Sequence, residues 1–203
     1  MKHKLPFTMV EILLALGVCA IGICSIMVLF PIGANASRDA AMETYAANAA
    51  DQMLNYLKYE ITRNNSVNWN KYILDAPVTA DTLDTTNPAI NEPVPSYNML
   101  STTVWPNSMG IVANNVFRHQ ANKGVYQILS CRNATPAVNS PEVDFRAIMN
   151  VWRQQVPISG SLALQYKMAV QLNVEVSWPA NLPYAARQKS HYVLEVFNPN
   201  FTP

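Results

Sequence analysis

Residues 12–32 run for 21 positions without a charged side chain. At 1.5 Å rise per residue such a run forms a helix about 30 Å long, the hydrocarbon thickness of a bilayer, so the pattern predicts a transmembrane helix. Pro31 and Gly33 close the run, and the proline either ends the helix or kinks it inside a longer one. The downstream pattern favours continuation. Met42, Tyr45, Ala46, Ala49, Ala50, Met53, Leu54, Leu57 and Ile61 recur at steps of three and four, which is one face of an α-helix. Asp39, Glu43, Asp51 and Lys58 fall on another face, and Asn64-Asn65 supplies a stop. If residues 8–63 are nearly continuous helix, the element is roughly 80 Å long.

Beyond residue 66 the periodicity changes. Pro77, Pro88, Pro93, Pro95 and Pro106, set among Asn, Thr, Asp and Ser, predict an irregular excursion over about 75–108. From Leu162 to Trp178 every second residue is apolar: Leu164, Tyr166, Met168, Val170, Leu172, Val174 and Val176 lie between polar or small neighbours. That is the pattern of a strand with one buried and one wet face, in an antiparallel sheet covered on one side by a helix. Its length predicts a bend or a bulge. Pro179 and Pro183 then break the pattern, and Tyr192, Leu194 and Val196 give a return strand over 190–197. Residues 125–132 read as another strand. Residues 143–156 are ambiguous: Ser140-Pro141-Glu142 resembles a helix start, whereas the Val, Phe, Ile and Trp content favours a strand, and strand is preferred.

The fold class expected from these elements is α+β, a long N-terminal helix with a transmembrane half and an amphipathic half, packed on a C-terminal antiparallel β-sheet head. The segments are a leader over 1–6, a transmembrane helix over 7–33, an amphipathic stalk helix over 34–65 and a globular head over 66–203.

Composition agrees with a chain partly in lipid. Half the residues are apolar and 13% are charged, about half the usual share for soluble domains. Lys2 and Lys4 precede the apolar run, which by the positive-inside rule keeps the N-terminus cytoplasmic and sends the remainder outward. A cleaved secretory signal is the alternative, but its apolar region is about 7 to 15 residues and ends at small residues, unlike Phe30-Pro31-Ile32-Gly33. A formal net charge of +1 supplies no basic field, so no nucleic-acid partner is implied.

Candidate chemistry is sparse. His3, His119 and His191 are isolated, without the spacing of HExxH or CxxC. Asp75, Asp81 and Asp84 lack EF-hand spacing, and six glycines leave little backbone for a phosphate cradle. No cofactor and no metal is expected, and the chain is not expected to be an enzyme. Cys19 and Cys24 fall in the apolar run, which leaves Cys131 alone in the head with no intradomain disulfide to form. Trp69, Trp105, Trp152 and Trp178 are expected in the core rather than on a binding surface. Asn64, Asn133 and Asn200 satisfy Asn-x-Ser/Thr, a motif frequent by chance.

One residue resists the membrane reading. Glu11 stands at the edge of the apolar helix, where an unpaired carboxylate is costly. It either marks the lipid interface or has a partner. A short basic leader, then Phe7-Thr8-Met9-Val10-Glu11, then an unbroken apolar helix resembles the N-terminus of type IV pilins and pseudopilins. The end of the long strand, Val174-Glu175-Val176-Ser177-Trp178-Pro179, resembles the minor pilins and minor pseudopilins of the PilV-like group. The resemblance implies a structural subunit of a type IV pilus or type II secretion filament, held in the bacterial inner membrane before assembly. It implies that a prepilin peptidase cuts between Pro6 and Phe7, that Phe7 is N-methylated, that Glu11 serves assembly, and that Pro31 marks the helix kink. Pro6 departs from the glycine usual before the cut, and it restricts the scissile backbone. A cut before Phe7 creates an ammonium that Glu11 of a neighbouring subunit can neutralise in an apolar filament core, fixing axial register. The implied partners are other pilin or pseudopilin subunits, the prepilin peptidase and the lipid bilayer. The rival expectation is a non-assembling, membrane-tethered extracytoplasmic binding domain.

Overall fold

The computed structural model describes residues 8–63, 65–75, 82–85, 87, 90, 97–99, 116–119, 122, 124–131, 143–159 and 162–202. The leader and Phe7, most of the proline-rich stretch, Trp105 and the Ser140-Pro141-Glu142 signal lie outside these residues. The architecture is α+β: a long N-terminal helix followed by a C-terminal antiparallel sheet. The chain divides into two compact units, Met1–Met42 and Glu43–Pro203.

Helix α1 runs Met9–Thr62 with Pro31 inside it. Proline removes one backbone donor, yet the surrounding apolar residues are good enough helix formers to carry the element on. Ser25, the hydroxyl inside the apolar run, donates to the Ile21 carbonyl at 2.9 Å and so meets its own hydrogen-bonding need. At the other end the last carbonyls of α1 are met by side chains. Thr62 Oγ1 donates to Lys58 O at 2.7 Å, and Asn68 Nδ2 donates to Glu60 O at 2.9 Å. Asn68 belongs to a short helix, α2 (Asn65–Trp69), which continues into a π-helical segment, Asn70–Asp75.

Within the second unit, α1 buries Ala46, Ala50, Met53, Leu54, Leu57 and Ile61, members of the predicted face. Tyr56 and Glu60 are buried beside them, although the periodicity does not single them out. Arg63 Nη1 lies 3.4 Å from Glu60 Oε1, which gives the buried carboxylate a counter-charge one turn away.

Among the described residues the main sheet has six antiparallel strands in the order β1 (Tyr97–Met99), β2 (Val116–His119), β3 (Val125–Cys131), β4 (Val143–Gln154), β7 (Ala169–Trp178), β8 (Gln188–Phe197). Two short strands, β5 (Pro157–Ser159) and β6 (Leu162–Ala163), form a separate hairpin. Residues 143–154 are strand, as the β-branched and aromatic content indicates. Gly124, just before β3, has φ 79°, a left-handed conformation that side chains with a Cβ rarely adopt.

Two expectations for the 162–178 run are corrected. The run is not one strand: β6 ends at Ala163, a turn follows through Tyr166–Met168, and β7 begins at Ala169. The turn is held by Met168 N and Ala169 N, which donate to Gln165 O at 2.8 and 3.2 Å. Nor does β7 have a wet face, because Asn173 and Ser177 are as buried as Val174 and Val176. The expected alternation survives in β8, where Lys189, His191, Val193, Glu195 and Phe197 are all exposed.

The pairing explains the difference. Phe145, Met149, Val151, Leu172, Val174 and Val176 share one face, and Tyr45 of α1 stacks on Phe145 with ring centroids 5.6 Å apart. Gln127, Ile148, Asn150, Trp152, Asn173 and Ser177 share the opposite face, and all are buried. Part of its cover comes from Ile90 and from the loop between β7 and β8, both tied down by Arg187.

Candidate functional site

The N-terminal half of α1 is where the sequence concentrates its unusual features. Thr8 sits at the N-cap: its Oγ1 accepts from Glu11 N at 3.4 Å, while its carbonyl accepts from Glu11 N at 3.1 Å and Ile12 N at 3.3 Å. Glu11 is therefore the third helical residue, the position at which a Thr-x-x-Glu capping box places its carboxylate. A negative charge there also faces the positive end of the helix dipole. Thr8 is a helix-capping residue that the sequence pattern does not single out, although its three-residue spacing to Glu11 is the signal that could have found it.

From Ile12 to Ile32 the helix offers almost only apolar surface. Leu14 is 71% exposed and Phe30 77% exposed, values typical of side chains with no protein neighbour. A β-carbon placed on Gly17, Gly22 or Gly33 meets nothing within 4 Å. Cys19 and Cys24 are free and exposed in the same stretch. The helix is long and apolar enough to cross a membrane. Pro31 lies inside it, while Pro6 and Phe7 lie outside the described residues.

Among the described residues of the head several polar groups hold the structure together, while the Gln127 amide and Trp178 Nε1 are buried without a hydrogen-bond partner. Trp69 Nε1 donates to Tyr166 O at 2.9 Å, the Tyr166 ring lies under the Arg153 guanidinium at 4.6 Å, and Arg153 Nη1 donates to Ile73 O. Glu175 accepts from Tyr184 Oη at 2.8 Å and from Asn150 Nδ2 at 3.5 Å. Burial, reinforced by the bond to Glu175, pushes the Tyr184 phenol above its ordinary range; burial and the nearby Glu60 charge do the same to Tyr56. His119 Nδ1 accepts from Asn122 N at 3.0 Å, and His191 stacks on Trp152 with ring centroids 5.1 Å apart. His119 and His191 are thus placed separately, and Trp69, Trp152 and Trp178 are buried. No group of three or more His, Cys, Asp or Glu capable of holding a metal occurs among the described residues. A cavity of about 40 Å³ has Asp84, Asn87, Asn150 and Trp152 in its wall.

No protein-family model, curated protein or solved structure matches the chain.

Proposed function

We propose that this chain is a structural filament subunit, a minor pilin or pseudopilin of a type IV pilus or type II secretion filament, and that it does not catalyse a reaction. It is anchored in the bacterial inner membrane before assembly, N-terminus cytoplasmic and head outward, and its partners are the bilayer, a prepilin peptidase and other subunits. The observation that carries the reading is a single helix, Met9–Thr62, which is bare and apolar in its first half and amphipathic in its second, followed by an antiparallel sheet. A bare apolar helix first needs lipid and, in a filament, other helices of its own kind.

N-terminal analysis of membrane material tests the reading. Loss of residues 1–6 and a methylated Phe7 are expected; finding only full-length chain would rule out peptidase processing. A second reading, a tethered domain that does not assemble, is favoured by the Thr8 cap, which gives Glu11 a local role without a neighbour. Glu11→Ala separates the two. Under the filament reading it leaves membrane insertion intact and reduces assembled subunit at least tenfold, because the neighbour's ammonium loses its counter-charge. Unchanged incorporation would leave capping as the role of Glu11.

A further inference from the structure

β8 is one of the two edge strands of the sheet, ten residues long, paired residue for residue with β7 without a bulge and with no further strand on its outer side among the described residues. Its backbone polarity follows from one bond. Asn198 N donates to Met168 O at 2.8 Å, and these residues face each other one step beyond the Ala169↔Phe197 pair. Hydrogen-bonded and non-hydrogen-bonded pairs alternate in an antiparallel ladder. Even-numbered residues of β8 therefore turn their amides toward β7, and Lys189, His191, Val193, Glu195 and Phe197 turn theirs away from the sheet. The side chains of those same five residues are exposed.

Natural edges of this length are usually blunted by proline, a bulge or charged side chains, lysine above all. β8 has neither proline nor bulge; its two charges, Lys189, whose ammonium lies 4.1 Å from the centre of the Tyr184 ring, and Glu195, are opposite in sign and six residues apart.

We infer that β8 is a self-complementary interface, on which a second copy of this chain adds its own β8 antiparallel across a two-fold axis at Tyr192. In that register Lys189 faces Glu195 of the second copy, twice by symmetry, and His191 faces Val193. Outward amides meet outward amides at each of these pairs, while Tyr192 meets its symmetry mate at a non-hydrogen-bonded position. Registers shifted by an odd number of residues set outward amides against inward ones and are excluded. Among the even shifts, the one centred on Tyr192 alone brings Lys189 and Glu195 together. Isologous pairing of this kind closes at two copies. The inference is independent of the filament reading, since it rests on the sheet alone.

The full chain in detergent micelles, with Cys19→Ser, Cys24→Ser and Cys131→Ser as background, provides the test. Tyr192→Cys should form a covalent dimer on mild oxidation, because facing α-carbons at such a position are about 4.5 Å apart, within disulfide reach. Glu195→Cys should stay monomeric, its two copies being separated by about 20 Å. By sedimentation equilibrium without the cysteines, Lys189→Glu should weaken the dimer about tenfold, and Lys189→Glu with Glu195→Lys should restore it. A Tyr192→Cys chain that stays monomeric on oxidation, equal cross-linking at both positions, or a dimer indifferent to Lys189→Glu overturns the assignment. So does protection of the Lys189, His191 and Val193 amides that depends on a different protein rather than on the concentration of this chain.

Discussion

Trp69→Ala should lower the stability of the Glu43–Pro203 unit by about 3 to 5 kcal/mol, enough to shift its thermal midpoint by roughly 10 °C for a unit of this size. Trp69 is fully buried, so truncation removes a large apolar surface and leaves a cavity that rigid neighbours fill only in part. The indole N–H also donates to Tyr166 O, across 97 residues of sequence. Losing that bond releases the turn before β7, and with it the ring over which Arg153 is placed. Trp69→Phe separates the two contributions. It keeps most of the packing and orphans one carbonyl, for an expected loss of about 1 to 3 kcal/mol. Urea denaturation of the full chain in micelles, followed by tryptophan fluorescence and circular dichroism, measures both. Equal losses for the two variants would mean that the hydrogen bond, not the packing, holds the α2 segment against the sheet.

What the sequence reveals and what it conceals have a common cause. Periodicity reports how a segment meets one neighbour, so it locates the buried stripe of α1 and the face that β7 shares with Phe145 and Met149. It is silent about a second neighbour supplied from far along the chain. Asn173 and Ser177 read as the wet face because they are polar, and they are buried, with Gln127 and Asn150 beside them, on the side where the β7–β8 loop and Ile90 lie. The turn after Leu164 is hidden because it contains neither glycine nor proline; Tyr166 and Met168 continue the apolar alternation through it. Pro31, by contrast, is read correctly: it leaves an end or a kink open, the downstream periodicity favours continuation, and α1 runs on through it. For the candidate site, the bare helix is legible in full, because length and absence of charge are properties of sequence. The cap at Thr8 is a backbone geometry, so only its spacing to Glu11 announces it.

Arg187→Met should cost about 3 kcal/mol, the upper part of the range for hydrogen bonds to charged groups, and it should do so without disturbing the β7–β8 ladder. The Arg187 side chain is 5% exposed. Its guanidinium donates to Leu182 O at 2.8 Å, Ala180 O at 3.0 Å and Ile90 O at 2.8 Å, with Ser177 Oγ at 3.5 Å. Methionine keeps the length and apolar stem but supplies no donor, so these buried carbonyls lose a partner that water cannot easily replace. Lysine is no substitute, because a single ammonium cannot span acceptors arranged for the planar fork of arginine. The damage should be local in amide exchange. Ala180 N, which donates to Arg146 O at 3.0 Å across the top of the loop, should exchange at least tenfold faster, while the central β7 amides keep their protection relative to global unfolding. If Ala180 exchange is unchanged and the stability loss falls below about 1 kcal/mol, the loop is held by its apolar contacts and the cover of the second sheet face does not depend on Arg187.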